Sequence, residues 1–193
     1  MDGLNTLAAG YCLLILFSLI FIFLNNQIIF PNYDLLLITV VSLLVVFLFN
    51  IFGKIYLGDN GAYLVAFIIS ILLIEISKMN HIVSPFYVAN LLWYPAFENF
   101  FSIIRKKINK INPVNPDTNH LHQLIFKFIN NKKNFIKIYS NQITSLLILL
   151  YNFFIFFISI NFITKTNYMI LLIILNIIIY LGTYTFLKES LKK

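Results

Sequence analysis

The sequence predicts an all-α polytopic membrane protein, a single integral-membrane domain over residues 1–193 with about six transmembrane helices and one cytoplasmic amphipathic helix. Hydrophobic residues make up 60% of the chain and charged residues only 11%, against about 25% charged residues in soluble domains. A soluble fold of this size has too much surface to hide so many apolar side chains. A soluble enzyme and a disordered chain are therefore excluded, and the single Cys excludes a disulfide scaffold.

Six apolar stretches account for the predicted spans, since a helix of about 20 residues crosses the hydrocarbon core of a bilayer. The stretches are 7–24, 34–50, 62–77, 85–104, 142–163 and 167–187. The fourth is the most interrupted, because it contains Pro95 and the polar pair Glu98 and Asn99.

The basic residues predict the orientation of these spans. With a cytoplasmic N-terminus and six crossings, the inner segments are 51–61, 105–141 and 188–193, and they contain every Lys and Arg except Lys78 and Lys165. This asymmetry follows the positive-inside rule and predicts that both termini are cytoplasmic. The net charge of +7 is thereby assigned to membrane orientation, and no nucleic-acid partner is expected.

Three polar islands fall on the predicted cytoplasmic side, at residues 1–10, 57–62 and 115–123. Together they supply carboxylates, glycines, histidines and neighbouring cations. Carboxylate oxygens are typical ligands of Mg²⁺, and cations bind phosphate oxygens. The islands therefore suggest a site for a divalent metal and a phosphorylated ligand.

The second island, Gly58-Asp59-Asn60-Gly61, is open to two interpretations. Asp59 or Asn60 can cap the helix that follows. Alternatively, the glycines let the backbone approach a phosphate, the helix N-terminus favours an anion, and Asp59 holds a metal.

The third island lies in the predicted cytoplasmic loop 105–141, where an amphipathic helix is expected from about Thr118. Its apolar positions follow the helical period, with polar residues opposite and His122 at the border. The apolar residues are Leu121, Leu124, Ile125, Phe128 and Ile129, and the polar ones are His120, Gln123 and Lys127. This pattern predicts a helix in the membrane interface with its polar face over the site; a basic surface anchor is the alternative.

Two glutamates lie within predicted spans. Glu75 is near an outer end and is interpreted as structural. Glu98 lies deeper, and ionisable groups inside membranes are functional candidates. A packing contact with Arg105, two turns further on, is an equally favoured interpretation.

The islands together resemble the cytoplasmic motifs of the polyprenyl-phosphate sugar-1-phosphate transferases, with an undecaprenyl-phosphate N-acetylglucosamine-1-phosphate transferase-like pattern of glycosyltransferase family 4. Four segments carry the resemblance in the same order. They are Asp2-Gly3-Leu4-Asn5 with Leu7-Ala8-Ala9-Gly10, then Gly58-Asp59-Asn60-Gly61-Ala62, then Pro95 to Arg105, then Pro116-Asp117 with His120-Leu121-His122.

The resemblance implies a Mg²⁺-dependent enzyme in cell-envelope polysaccharide synthesis, at the cytoplasmic face of the bacterial inner membrane. Such enzymes transfer a sugar-1-phosphate, here expected to be N-acetylhexosamine-1-phosphate, from a UDP-sugar to polyprenyl (undecaprenyl) phosphate. It implies that Asp59 holds the metal and that His120 and His122 act on the diphosphate. The expected substrate-binding residues are Asp2, Asn5, Gly58, Asn60, Gly61, Asp117 and Lys127.

The chain departs from the family pattern in ways that bear on activity. Gln123 stands where many members have a third His, and Thr6 replaces a usual Gly. The N-terminal half, with its paired aspartates, is expected to be missing, so the chain alone is expected to be inactive. The alternatives are a non-catalytic remnant, a lipid-phosphate-binding module or, less favoured, a small transporter.

The predicted topology can be tested by labelling single cysteines from outside the cell in a Cys12→Ala background. A cysteine at Asn26 should react with a membrane-impermeant maleimide, and one at Asn119 should be protected. The opposite labelling pattern would contradict both the topology and the shared-face argument.

Overall fold

The computed structural model describes residues 4, 6–25, 29–110, 112, 119–131 and 139–192, and within them the chain is all-α. The eight helices of these residues are α1 Leu7–Leu24, α2 Tyr33–Ile51, α3 Gly58–Met79, α4 Pro85–Leu91, α5 Trp93–Ile108, α6 Leu121–Asn130, α7 Ser140–Ile160 and α8 Thr166–Ser190. Five of them, α1, α2, α3, α7 and α8, are long and apolar enough to cross a membrane. The predicted all-α polytopic class is confirmed.

Helix α1 is the centre of the bundle. It packs against α2, α3 and α7, and a larger share of it is buried than of any other candidate span. Gly10 permits the close approach, because a Cβ there would lie 2.6 Å from Leu149 Cδ1 of α7 and 3.0 Å from Phe47 of α2. Small residues let membrane helices approach in this way, since packing drives their association.

The N-terminal end of α1 is held in an unusual backbone conformation. Thr6 has φ 71°, which is rare for a β-branched residue and costs of order 1–3 kcal/mol. Its N–H donates to Oδ1 of Asn50 at the end of α2, at 2.6 Å. The position that resembles a family glycine is thus one where glycine would be unstrained.

The loops that follow α1, α3 and α7, which the predicted topology places outside, meet at one end of the bundle. The side-chain amide of Asn80 both accepts from the Ile29 N–H at 2.7 Å and donates to the Ile29 carbonyl at 3.0 Å. Ser84 donates its N–H to the carbonyl of Ile163 at 3.0 Å, and its hydroxyl is 3.0 Å from that of Thr166. Loops that follow alternate crossings thus lie at the same end of the bundle, as expected for a chain that crosses back and forth.

The fourth apolar stretch, predicted as one span over 85–104, is divided into α4 and α5 at Leu92. Pro95 explains the break, because it has no N–H to donate to the carbonyl of Leu91 four residues earlier. The hydroxyl of Tyr11 on α1 donates to that carbonyl instead, at 2.9 Å. Unpaired backbone groups are costly in an apolar interior, so the break requires such a partner.

Helices α4 and α5 nevertheless run together from one end of the bundle to the other. Ser84 begins α4 beside Thr166, at the start of α8. Near the end of α5, the guanidinium of Arg105 donates to the Tyr184 hydroxyl at 3.3 Å, close to the end of α8. The described residues therefore traverse the bundle six times, five times as a continuous helix and once as a broken pair.

Buried amides join the middle of the bundle. Trp93 Nε1 donates to Oδ1 of Asn152 at 2.9 Å. The hydroxyl of Tyr151 donates to Oδ1 of Asn176 at 2.6 Å, and Asn176 in turn donates to Asn90 at 3.4 Å. The three asparagines are fully buried, and hydrogen bonds between helices pair their side-chain oxygens, whereas Nδ2 of Asn90 is buried without a partner.

Removing the Tyr11 hydroxyl should measure how much its hydrogen bond to the Leu91 carbonyl stabilises the fold. Tyr11→Phe leaves the Leu91 carbonyl unpaired and should lower the free energy of unfolding by about 1–3 kcal/mol. Tyr87→Phe is the matched control, because the Tyr87 hydroxyl is buried without a hydrogen-bond partner. Denaturation in detergent micelles should show a loss for Tyr11→Phe only, and an equal loss in both variants would contradict this account.

Candidate functional site

Helix α6 carries the two histidines of the third island and begins at Leu121, three residues later than predicted. His120 is the N-cap residue, and its N–H donates to Oε1 of Gln123 at 3.3 Å. Gln123, which departs from the family pattern, thus closes the first turn of the helix as a capping-box residue does.

The amphipathic character of α6 is as predicted, and the protein covers part of its apolar face. Leu121, Leu124 and Ile129 are buried, and α6 packs against α7 and α8. A helix of 10 residues has little stability of its own. Packing on α7 and α8 gives α6 fixed partners within the protein, and its position in the membrane interface stays a prediction.

The carboxylate of Glu98 on α5 receives the start of α6. Its Oε1 lies 2.9 Å from Nδ1 of His120 and accepts the N–H of Leu121 at 3.0 Å. Glu98 is 2% exposed. The expected alternative contact with Arg105 is not what the carboxylate makes; Arg105 donates to Ser102 and Tyr184 and lies over the Phe101 and Tyr184 rings.

His120 and His122 lie side by side in different environments. Their ring centroids are 5.5 Å apart and the rings are tilted by only 15°. The side chain of His120 is 22% exposed, whereas His122 is 2% exposed and its buried Nδ1 has no hydrogen-bond partner. Burial lowers the pKa of His122 from 6.5 to about 4, although the nearby Glu98 carboxylate opposes the shift. His122 is therefore neutral at pH 7.

The second island opens α3 but does not cap it. The helix begins at Gly58, and neither Asp59 nor Asn60 provides a side-chain cap. Gly58 has φ +63° with open space around it, so its glycine is required by backbone conformation; at Gly61 a Cβ would lie 3.1 Å from Leu57. Asp59 is exposed in the first turn, where a negative charge is favoured by the helix dipole.

The structure brings together only part of the predicted site. Glu98, His120 and His122 form one cluster, while α3 and α6 are not among the helix pairs that pack closely. Among the described residues, no three His, Cys, Asp or Glu side chains come together as a metal site. Asp2, Asn5 and Asp117 lie outside the described residues.

Lys127 belongs to a separate basic groove between the ends of α6 and α8. The groove has a volume of about 510 Å³ and includes Asn119, Lys188 and Lys192 among its lining residues. The assignment of Lys127 as a phosphate ligand stays a prediction.

The sequence marks Glu98 as a functional candidate but not as a member of the predicted site, and it gives no indication of Tyr94 and Tyr180. An ionisable residue inside a predicted span was the available signal for Glu98. The two tyrosines interact electrostatically with its carboxylate, and in the sequence they are indistinguishable from other aromatic residues of the spans.

The pKa of His122 predicts how stability depends on acidity. Between pH 6.5 and 4 the unfolded chain binds a proton at His122 that the folded chain does not, so stability falls as the pH falls through this window. The loss attributable to His122 is about 3 kcal/mol by pH 4. Denaturation curves at several pH values should show a smaller acid-induced loss in His122→Gln than in wild type.

His81→Gln serves as the control for removing a histidine, since His81 is exposed in a loop. If His122→Gln and wild type lose stability in parallel between pH 6.5 and 4, His122 is not held neutral by the fold.

Comparison with known proteins gives one similarity of direct relevance. A protein of Bacillus subtilis (strain 168), described as a probable undecaprenyl-phosphate N-acetylglucosaminyl 1-phosphate transferase, is 32% identical over 136 residues, which are 66% of this chain and 36% of that protein. The chain thus spans about a third of the length of the relative that it matches. No protein-family model matches the chain, and no solved structure matches it. The similarity supports the resemblance at the level of the family.

Proposed function

We propose that this chain forms part of a polyprenyl-phosphate sugar-1-phosphate transferase of glycosyltransferase family 4 in a bacterial inner membrane. The observation that carries the proposal is the buried Glu98 carboxylate holding His120 at the start of α6. A partly exposed, hydrogen-bonded imidazole beside a membrane bundle suits recognition of phosphate groups. The similarity to the Bacillus protein supplies the reaction class.

In the proposed reaction, a phosphate oxygen of polyprenyl phosphate attacks the sugar-bearing phosphorus of a UDP-sugar. The bond from that phosphorus to UMP breaks, and a sugar diphospholipid forms for cell-envelope polysaccharide synthesis. Catalysis of phosphoryl transfer consists mainly of positioning and charge neutralisation. The chain's part is then to hold the phosphates at the cytoplasmic face while the lipid tail stays in the bilayer.

The histidines divide this work in the proposal. His120, partly exposed, contacts the diphosphate through its outer ring nitrogen. His122 is buried and neutral, so it supports the His120 ring and does not neutralise phosphate charge itself. Lys127, in the adjoining basic groove, attracts phosphate oxygens as a point charge.

Mg²⁺ fits the second island as a partly protein-bound ion. Asp59 is a single exposed carboxylate, and protein-bound Mg²⁺ commonly uses one or two carboxylates with water and substrate phosphates as its other ligands. Asp59 would hold the ion, with Gly58, Asn60 and Gly61 shaping the backbone around it. The ion, when bound, supplies charge neutralisation for the phosphates.

The proposed site is incomplete within the part of the chain that the structure describes. The described residues offer one exposed carboxylate at the second island and a separate histidine cluster at the third. Because the chain matches about a third of its relative, we place the remaining acidic ligands on a partner segment equivalent to the rest of that protein.

The basic groove favours a second candidate, a lipid-phosphate-binding membrane protein without catalysis. Lys127, Lys188 and Lys192 line it together, and cations next to the end of a membrane span attract anionic lipid headgroups. In this case phosphate binding needs neither Asp59 nor Mg²⁺. A transporter gains no support, because the buried asparagines hydrogen-bond to neighbouring helices.

A chimera tests the proposed reaction. This chain replaces the matching segment of the Bacillus protein, and membranes are assayed for transfer of labelled sugar-1-phosphate from a UDP-sugar to polyprenyl phosphate. Asp59→Asn keeps the size of the side chain and removes its charge, so transfer should fall by orders of magnitude. Asp34→Asn is the matched control, since Asp34 is also exposed in the first turn of a helix, α2.

The outcomes separate the assignments. An active chimera with a fully active Asp59→Asn variant would remove the metal assignment. A folded, membrane-inserted chimera that transfers no sugar but binds polyprenyl phosphate would support the non-catalytic candidate.

A further inference from the structure

The Glu98 carboxylate makes two contacts with one oxygen at the start of α6. Oε1 accepts the N–H of Leu121 at 3.0 Å and lies 2.9 Å from Nδ1 of His120. An ionised carboxylate has no proton to give, so this contact requires the proton of a neutral His120 to be on Nδ1. The other ring nitrogen, Nε2, is an acceptor in the neutral ring and can donate to a phosphate oxygen once the ring carries a second proton.

We propose that Glu98 is a positioning residue that fixes the tautomer and orientation of His120, so that Nε2 is the atom presented to the ligand. A second partner of the ring fixes this arrangement further, since His122 stacks on His120 at 5.5 Å. That the ligand is a diphosphate rests on the proposed function, whereas the effect of Glu98 on His120 does not.

The Glu98 carboxylate is buried among polar groups of the protein and is not a helix cap at the surface. The second oxygen, Oε2, is buried without a hydrogen-bond partner, and so are the hydroxyls of Tyr94 and Tyr180. Both hydroxyls interact electrostatically with the carboxylate. Two donors beside a buried carboxylate can stabilise its charge, and such interactions are strong in a low dielectric.

The same contact couples the position of the histidine to the backbone. Leu121 has one of the N–H groups that a helix leaves unpaired at its start, and Glu98 satisfies it from α5. A side chain from a different helix thus sets both where α6 begins and how the His120 ring is turned. In metal sites and catalytic triads, a carboxylate on Nδ1 selects the tautomer in the same way.

A purely structural role is the competing explanation. In that case Glu98 only caps α6, and the His120 tautomer is free to follow solvent. The two roles differ in one measurable property, the nitrogen that carries the proton when the ring is neutral. Activity is not required to detect it.

The experiment is ¹⁵N–¹H correlation NMR of the full chain, with ¹⁵N-labelled histidine, in lipid nanodiscs above neutral pH. The chain has 3 His, and His81→Gln and His122→Gln assign the signals. Wild type should show His120 mainly as the Nδ1–H tautomer. Glu98→Gln keeps a carbonyl acceptor and should retain that form, whereas Glu98→Leu should shift His120 toward Nε2–H, the form that free histidine prefers.

Ser102→Ala is the matched control, because Ser102 is buried on α5 one turn after Glu98 and should leave the His120 signals unchanged. A wild-type spectrum with His120 mainly as Nε2–H would overturn the proposal without any variant. The proposal therefore stays testable even if Glu98→Leu does not fold. An unchanged tautomer in a folded Glu98→Leu protein would also overturn it.

The chimera separates this inference from the proposed function. If the Nδ1–H form depends on residue 98 and the chimera transfers no sugar, the positioning role stands and the reaction is wrong. In an active chimera, Glu98→Leu should lower kcat more than it raises KM, with partial rescue in Glu98→Gln. Equal rates of sugar transfer by the Glu98→Leu and Glu98→Gln chimeras would overturn the positioning role and leave the proposed reaction intact.

Discussion

The structure depends on one constraint, that backbone polar groups in an apolar interior must find partners. Pro95 removes the donor for the carbonyl of Leu91, and the hydroxyl of Tyr11 replaces it across the bundle. This bond allows the fourth crossing to be broken without leaving an unpaired carbonyl. The break separates α4, which packs on α7 and α8, from α5, which carries Glu98 to the start of α6. The candidate site therefore depends on the Tyr11 hydroxyl, which donates to the Leu91 carbonyl in place of the N–H that Pro95 lacks.

Electrostatics then divides the two histidines. His120 contacts a buried carboxylate and stays partly exposed, while His122 is buried and its pKa is lowered to about 4. Two identical side chains, two residues apart, acquire different roles because one faces α5 and the other the packed interior. A charge placed on His122 would be costly to bury, whereas His120 has a carboxylate beside it.

The second and third islands remain separate within the described residues, and this is informative about how such a site is assembled. Asp59 lies exposed at the start of α3, with its helix dipole favouring a negative charge, and the histidine cluster lies at α6. A phosphate-bridged metal needs groups from several segments. Asp59 is exposed at the start of α3, and Lys127 lines the basic groove between α6 and α8.

The sequence by itself determined the membrane class, five of the continuous spans, the amphipathic pattern of α6 and the polar islands. These follow from local properties, namely the length of apolar runs and the helical period, which do not depend on distant partners. Only the tertiary structure decided that Glu98 bonds to His120 and not to Arg105, that α6 docks on α7 and α8, and that His122 is neutral. The first depends on two side chains that are 22 residues apart in the chain, and the other two depend on which helices pack together, where several partners of similar chemistry compete. Packing geometry and burial choose among them, and neither is written in the spacing of the residues.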